Sequence, residues 1–96
     1  MSKDTVVWVV DDDRSIRWVL ERAFQKAGMQ VQTFNGGEAV LERLRATTPD
    51  VIVSDIRMPG LDGIDLLRRL QESHPELPVI IMTAHSDLDS AVAAYH

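Results

Sequence analysis

The sequence predicts an α/β fold built on a parallel sheet. Short apolar runs of strand length alternate with stretches of helical periodicity, so that a β-α unit repeats four times along the chain. Most of the runs are continuous rather than alternating, which marks strands buried on both faces. Acidic or hydroxyl residues stand at the carboxyl ends of three of them, as Asp11-Asp12-Asp13, Asp55 and Thr83. Right-handed crossovers in such a sheet bring these ends to one edge, where ligand sites of open α/β sheets sit.

The first run is Val6-Val7-Trp8-Val9-Val10, a central strand. A helix follows, with Ile16, Val19, Leu20, Ala23, Phe24 and Ala27 on one face, Asp13 or Ser15 as its cap and Gly28 ending it. Trp18 lies off that stripe, as a partner contact or a half-buried residue. Met29 to Phe34 alternates and predicts a strand nearer an edge, with Val31 and Thr33 on one side. Asn35-Gly36-Gly37 is a turn, and Glu38 to Arg45 a second helix with Val40, Leu41 and Leu44 inward. Thr48-Pro49-Asp50 breaks the chain before the third strand, Val51 to Ser54, which delivers Asp55 to its carboxyl end. Pro59, Gly60 and Gly63 keep the next segment a loop. Ile64 to Glu72 is the third helix, facing the sheet with Ile64, Leu67 and Leu70 or Leu66. Pro75 and Pro78 bound a loop, Val79-Ile80-Ile81-Met82 is the fourth strand, and Asp87 to Tyr95 opens a fourth helix capped by Ser86. His74 and His96 read as surface residues at helix ends, and His85 as a solvated loop residue.

Composition narrows the function. Ninety-six residues make one small domain at most, and 45% hydrophobic content is that of a globular chain. A net charge of -5 argues against a nucleic-acid surface, which needs clustered Lys and Arg. The absence of cysteine excludes disulfides, thiolate metal sites and a Cys nucleophile. No stretch approaches the roughly 18 apolar residues of a membrane span, and no signal-like run opens the chain, which predicts a cytoplasmic protein.

Converging carboxylates repel one another and raise each other's pKa, and a divalent cation relieves this. An all-oxygen donor set suits a hard ion, Mg²⁺ or Mn²⁺. With that charge offset, Asp55 can attack phosphorus to form an acyl phosphate, while the Thr83 hydroxyl and the backbone N–H of Ala84 can bind a phosphoryl oxygen. A blander alternative makes Asp55 a turn cap, Thr83 a generic strand-end hydroxyl and the Asp triplet helix caps. Of that triplet, Asp13 is the residue assigned to capping.

Val9-Val10-Asp11-Asp12 with Arg17, then Asp55-Ile56-Arg57-Met58-Pro59-Gly60-Leu61-Asp62-Gly63, and finally Ile80-Ile81-Met82-Thr83-Ala84 together resemble a response-regulator receiver domain along the whole chain. Trp8 to Asp13, Ser15 to Arg22, Ser54 to Gly60 and Met82 to Asp89 resemble more closely the receivers of nitrogen-regulation transcriptional activators. The resemblance implies a doubly wound, flavodoxin-like sheet of strand order 2-1-3-4. It implies Asp55 as phosphoacceptor, and a Mg²⁺ (or Mn²⁺) site from Asp11, Asp12, Asp55 and the Arg57 backbone carbonyl, with Asp13 as a possible third acidic residue. Thr83 is similar to the family's switch hydroxyl. The implied partners are a sensor histidine kinase and the ATPase and DNA-binding domains of an activator of nitrogen metabolism. No direct contact of this segment with nucleic acid or membrane is expected.

The family continues to a fifth strand bearing a Lys and an aromatic switch residue, then a fifth helix, whereas the lysines here are Lys3 and Lys26. Residues 1–96 therefore read as a C-terminally incomplete receiver domain with the fifth β-α unit absent. Such a domain is expected to switch weakly on phosphorylation. It is also expected to self-associate, as a homodimer through the open edge or helix face. A fragment that folds or associates without chemistry is one competing reading. The other is a Mg²⁺-dependent phosphatase with an aspartyl-phosphate intermediate, which usually has a D-x-D pair and a cap domain; here the first run ends in three consecutive Asp, with no room for a cap.

Overall fold

The computed structural model of the chain describes residues 4–82. Four parallel strands, β1 (Val6–Val10), β2 (Gln30–Phe34), β3 (Val51–Asp55) and β4 (Val79–Met82), form one sheet in the order β2-β1-β3-β4. Helices α1 (Arg14–Lys26), α2 (Gly37–Arg43) and α3 (Gly63–Ser73) connect them. Thr83, Ala84, His85, His96 and the helix expected at 87–95 lie outside the described residues.

The continuous apolar runs behave as their composition requires. In β1, Trp8 and Val10 enter one core with Val40, Ile52, Met58, Leu66 and Leu70, beneath α2 and α3. Val7 and Val9 point to the other face, into a core with Val53 that Leu20 and Phe24 of α1 cover. Side chains alternate across a strand, so a two-sided sheet needs apolar residues at every position. Strand β2 is an edge, as its Gln30 and Gln32 predict, and its Phe34 ring packs 4.9 Å from that of Trp8.

Three expectations change in detail. Helix α2 spans Gly37–Arg43, with Leu44 as its C-cap, rather than reaching Arg45. Helix α3 buries both Leu66 and Leu70, while Ile64 and Leu67 are half-buried at the flanks. Helix α1 is rotated from its expected stripe. Its half-buried residues are Arg17, Leu20, Glu21 and Phe24, whereas Ile16 is 38% and Val19 53% exposed. A helix turns about 100° per residue, so contact centred near Arg17 and Phe24 leaves Val19 far round the surface. The long stems of Arg17 and Glu21 can cover apolar area while their heads stay hydrated. Trp18 is 59% exposed, with the Arg22 guanidinium 5.3 Å from its ring centroid.

Candidate functional site

The strand order reverses between β1 and β3, because β2 lies on one side of that pair and β4 on the other. A crevice opens at the carboxyl ends of the strands at such a point. Strand register determines what enters it. Val10 pairs with Ser54, so the next residues, Asp11 and Asp55, emerge side by side. Asp12 follows at once, and carboxylate oxygens of Asp11, Asp12 and Asp55 all lie within 4.8 Å of one another. Asp11 and Asp55 are buried, at 3% and 4% exposure, while Asp12 faces solvent.

Each buried carboxylate has local N–H donors. Asp11 Oδ1 accepts from the N–H of Asp13 at 2.8 Å, and Asp55 Oδ1 accepts from that of Ile56 at 2.8 Å. Burial nevertheless pushes both carboxyls above the ordinary aspartate range. The N–H of Asp13 partly offsets this for Asp11, and repulsion from Asp55, Asp12 and Asp13 adds to it. For Asp55 the N–H groups of Ile56 and Arg57 oppose the shift and Asp12 reinforces it. A site that raises the pKa of two of its three carboxylates is short of positive charge. Its donors are all oxygen, so it fits a small hard cation.

Asp13 takes no part in the cluster. Its Oδ1 accepts from the N–H of Ser15 at 2.8 Å and of Ile16 at 3.4 Å, the N-cap of α1, as its position predicts. Of the three histidines, His74 is described, and it is the C-cap of α3.

The loop from Asp55 to α3 is built to stay close to the site. The Ile56 N–H extends the sheet by donating to Met82 O at 3.0 Å, and the Ile56 carbonyl accepts from Gly63 at 3.0 Å. A Cβ on Gly63 would collide with the Asp55 carbonyl oxygen, so α3 starts flush against the end of β3. Met58 is buried in the core. Gly60 has φ +76°, a left-handed conformation that glycine adopts without strain. The far end of the loop is tied to α2, where Glu38 Oε2 accepts from the Leu61 N–H at 2.9 Å. Arg17 closes the β1 side, its Nη1 donating to the Asp11 carbonyl at 2.7 Å.

Sequence reading assigns Asp11, Asp12 and Asp55 to the site, with Asp13 as a helix cap or a possible third acidic residue; in the structure the first three lie together and Asp13 caps α1. Thr83 and Ala84 lie outside the described residues. The contacts made by Glu38 and Arg17 were not foreseen. Glu38 acts on a residue 23 positions away and reads in sequence as a helix-start carboxylate.

A parallel sheet of order 2-1-3-4, with helices and an acidic cluster at its switch point, defines a doubly wound, flavodoxin-like domain with a candidate cation site. The chain belongs to the response regulator receiver domain family, whose model matches residues 7–96. It is 66% identical over 90 residues to the DNA-binding transcriptional regulator NtrC of Escherichia coli K12, covering 94% of this chain and 19% of that protein. It is thus a receiver domain of the NtrC type and spans about a fifth of the length of that relative. The solution structure of the BeF3-activated NtrC receiver domain matches with a TM-score of 0.76 at 62% identity, covering 98% of this chain and 76% of that one. The crystal structure of NtrX from Brucella abortus in complex with ADP matches with a TM-score of 0.85 at 30% identity, over 96% of this chain and 21% of that one. No helix among the described residues is long and apolar enough to cross a membrane.

Proposed function

We propose that Asp55 accepts a phosphoryl group from a phosphohistidine of a sensor histidine kinase in the cytoplasm. Through the ATPase and DNA-binding domains of a longer activator, this event controls transcription of nitrogen-metabolism genes. The observation that carries the reading is the meeting of Asp11, Asp12 and Asp55 within 4.8 Å at the switch point, with Asp55 buried. A carboxylate oxygen of Asp55 forms the new O–P bond, and the P–N bond to imidazole breaks, releasing the histidine.

Asp11, Asp12, Asp55 and the Arg57 backbone carbonyl would hold Mg²⁺ (or Mn²⁺). When bound, it would offset charge on the carboxylates and on the incoming phosphoryl group. The Ile56 N–H orients Asp55 through its Oδ1. Burial leaves the Asp55 carboxylate little exposed to bulk water. The Thr83 hydroxyl and Ala84 N–H, outside the described residues, are assigned to the phosphoryl oxygens.

Acetyl phosphate with Mg²⁺, followed by intact mass measurement, tests this. One added phosphoryl group is expected, abolished by Asp55→Asn and by chelation. An unmodified mass, or modification that survives Asp55→Asn, overturns it.

A further inference from the structure

We propose that Glu38 is a positioning residue for the metal site, holding the loop that carries the Arg57 carbonyl against the three aspartates. This deepens the phosphoacceptor reading and rests on it.

Residues Asp55 to Gly63 contain one proposed phosphoacceptor and one proposed carbonyl ligand. At its near end the loop is secured by the sheet through the Ile56 N–H, and at its start of α3 by the Gly63 N–H on the Ile56 carbonyl. Between these points Arg57, Pro59 and Gly60 are exposed, and Met58 is the buried anchor. The Leu61 N–H precedes the helix and bonds outward to the Glu38 carboxylate at 2.9 Å.

Three further observations show that this contact is fitted. Gly60 has no side chain where Glu38 reaches across it, since a Cβ there would lie 2.6 Å from Glu38 Oε2. Gly37, next to Glu38, is buried against Leu61, and a Cβ on it would lie 2.9 Å from Leu61 Cδ2. The ionised form of Glu38 is favoured, first by the Leu61 N–H, then by its own backbone N–H and by Arg69. Helix α2 and the loop thus meet through two glycines and one charge-assisted hydrogen bond.

Groups that orient metal ligands without touching the metal supply measurable affinity. Glu38 is exposed and outside both cores, so its removal should act on the loop more than on the fold.

The test is a Mn²⁺ titration, following free Mn²⁺ by electron paramagnetic resonance, on the wild-type chain, Glu38→Ala and Glu38→Gln. Glu38→Ala is expected to weaken Mn²⁺ binding about tenfold, the low end for a group that acts on a ligand without touching the metal. Glu38→Gln, whose amide oxygen can still accept the Leu61 N–H, should stay within about twofold of wild type. Phosphorylation of Glu38→Ala by acetyl phosphate should need more Mg²⁺ but reach the wild-type rate at saturation, a split that general destabilisation does not produce. Equal Mn²⁺ affinity in wild type and Glu38→Ala overturns the proposal. So does an equal loss in both variants, which would make Glu38 a remote charge rather than a hydrogen-bond acceptor. If the wild-type chain itself neither binds Mn²⁺ nor is modified at Asp55, the underlying phosphoacceptor reading fails first.

Discussion

Asp55 and Asp11 are held in a state that opposes their own ionisation. Both carboxyls titrate above the ordinary aspartate value of 3.8, chiefly because they are buried. The folded chain therefore keeps these protons to higher pH than the unfolded chain does. Their contribution to stability is most favourable below the ordinary value and is lost as pH rises through the raised values. Near neutrality, without a cation, both residues destabilise the fold. Asp55→Asn keeps an oxygen for the Ile56 N–H and removes the charge. In chelator at neutral pH it should therefore raise Tm above that of wild type. The difference from wild type should shrink as pH falls through the raised Asp55 value and be gone below the ordinary one. Paired thermal melts across that range check it, and a variant less stable than wild type at pH 7 would mean that the carboxylate is not strained. Sequence makes this much legible at residue scale because strand ends and Asp runs are local features. It hides Glu38, because a carboxylate in the first turn of a helix has an adequate local explanation and its real partner, Leu61, is remote.

At the scale of elements, the Asp triplet divides its labour by backbone position. Asp11 ends the ladder beside β3, Asp12 faces solvent within the cluster, and Asp13 caps α1. Asp13→Ala leaves the N–H groups of Ser15 and Ile16 without that acceptor. It should cost about 0.5–2 kcal/mol by urea melting, with Mn²⁺ affinity changed far less than by Asp12→Asn. An Asp13 loss confined to metal binding would reverse the assignment. Helix α1 also shows where periodicity stops being informative. Its apolar stripe runs from Val19 round to Phe24, and any part of so wide a stripe could face a sheet. Packing selects the Leu20–Phe24 side together with the stems of Arg17 and Glu21, and leaves Ile16 and Val19 exposed. Helix α3 was legible to within one choice, Leu66 or Leu70, and the fold uses both.

Across the whole molecule, the site and the sheet share one energy balance. The two buried carboxylates terminate or adjoin the two central strands, each of which belongs to both cores. Repulsion at the site therefore acts along the axis on which the sheet is assembled, and a cation placed there should stabilise the entire domain rather than a loop. A ligand that binds only the folded state adds RT ln(1 + [L]/Kd), about 2.7 kcal/mol at one hundred times Kd. Mg²⁺ should accordingly raise Tm in a concentration-dependent way. Asp12→Asn is the informative control, because Asp12 is exposed and its loss removes a ligand without opening the core. The expected pattern is a melt little changed in chelator and a Mg²⁺ response mostly abolished. Asp55→Asn should begin more stable in chelator and gain less from Mg²⁺, so that the two curves converge or cross as the ion is added. Equal Mg²⁺ responses in wild type, Asp12→Asn and Asp55→Asn would place the stabilising ion elsewhere on the surface and sever the proposed link between charge balance at the switch point and cohesion of the sheet.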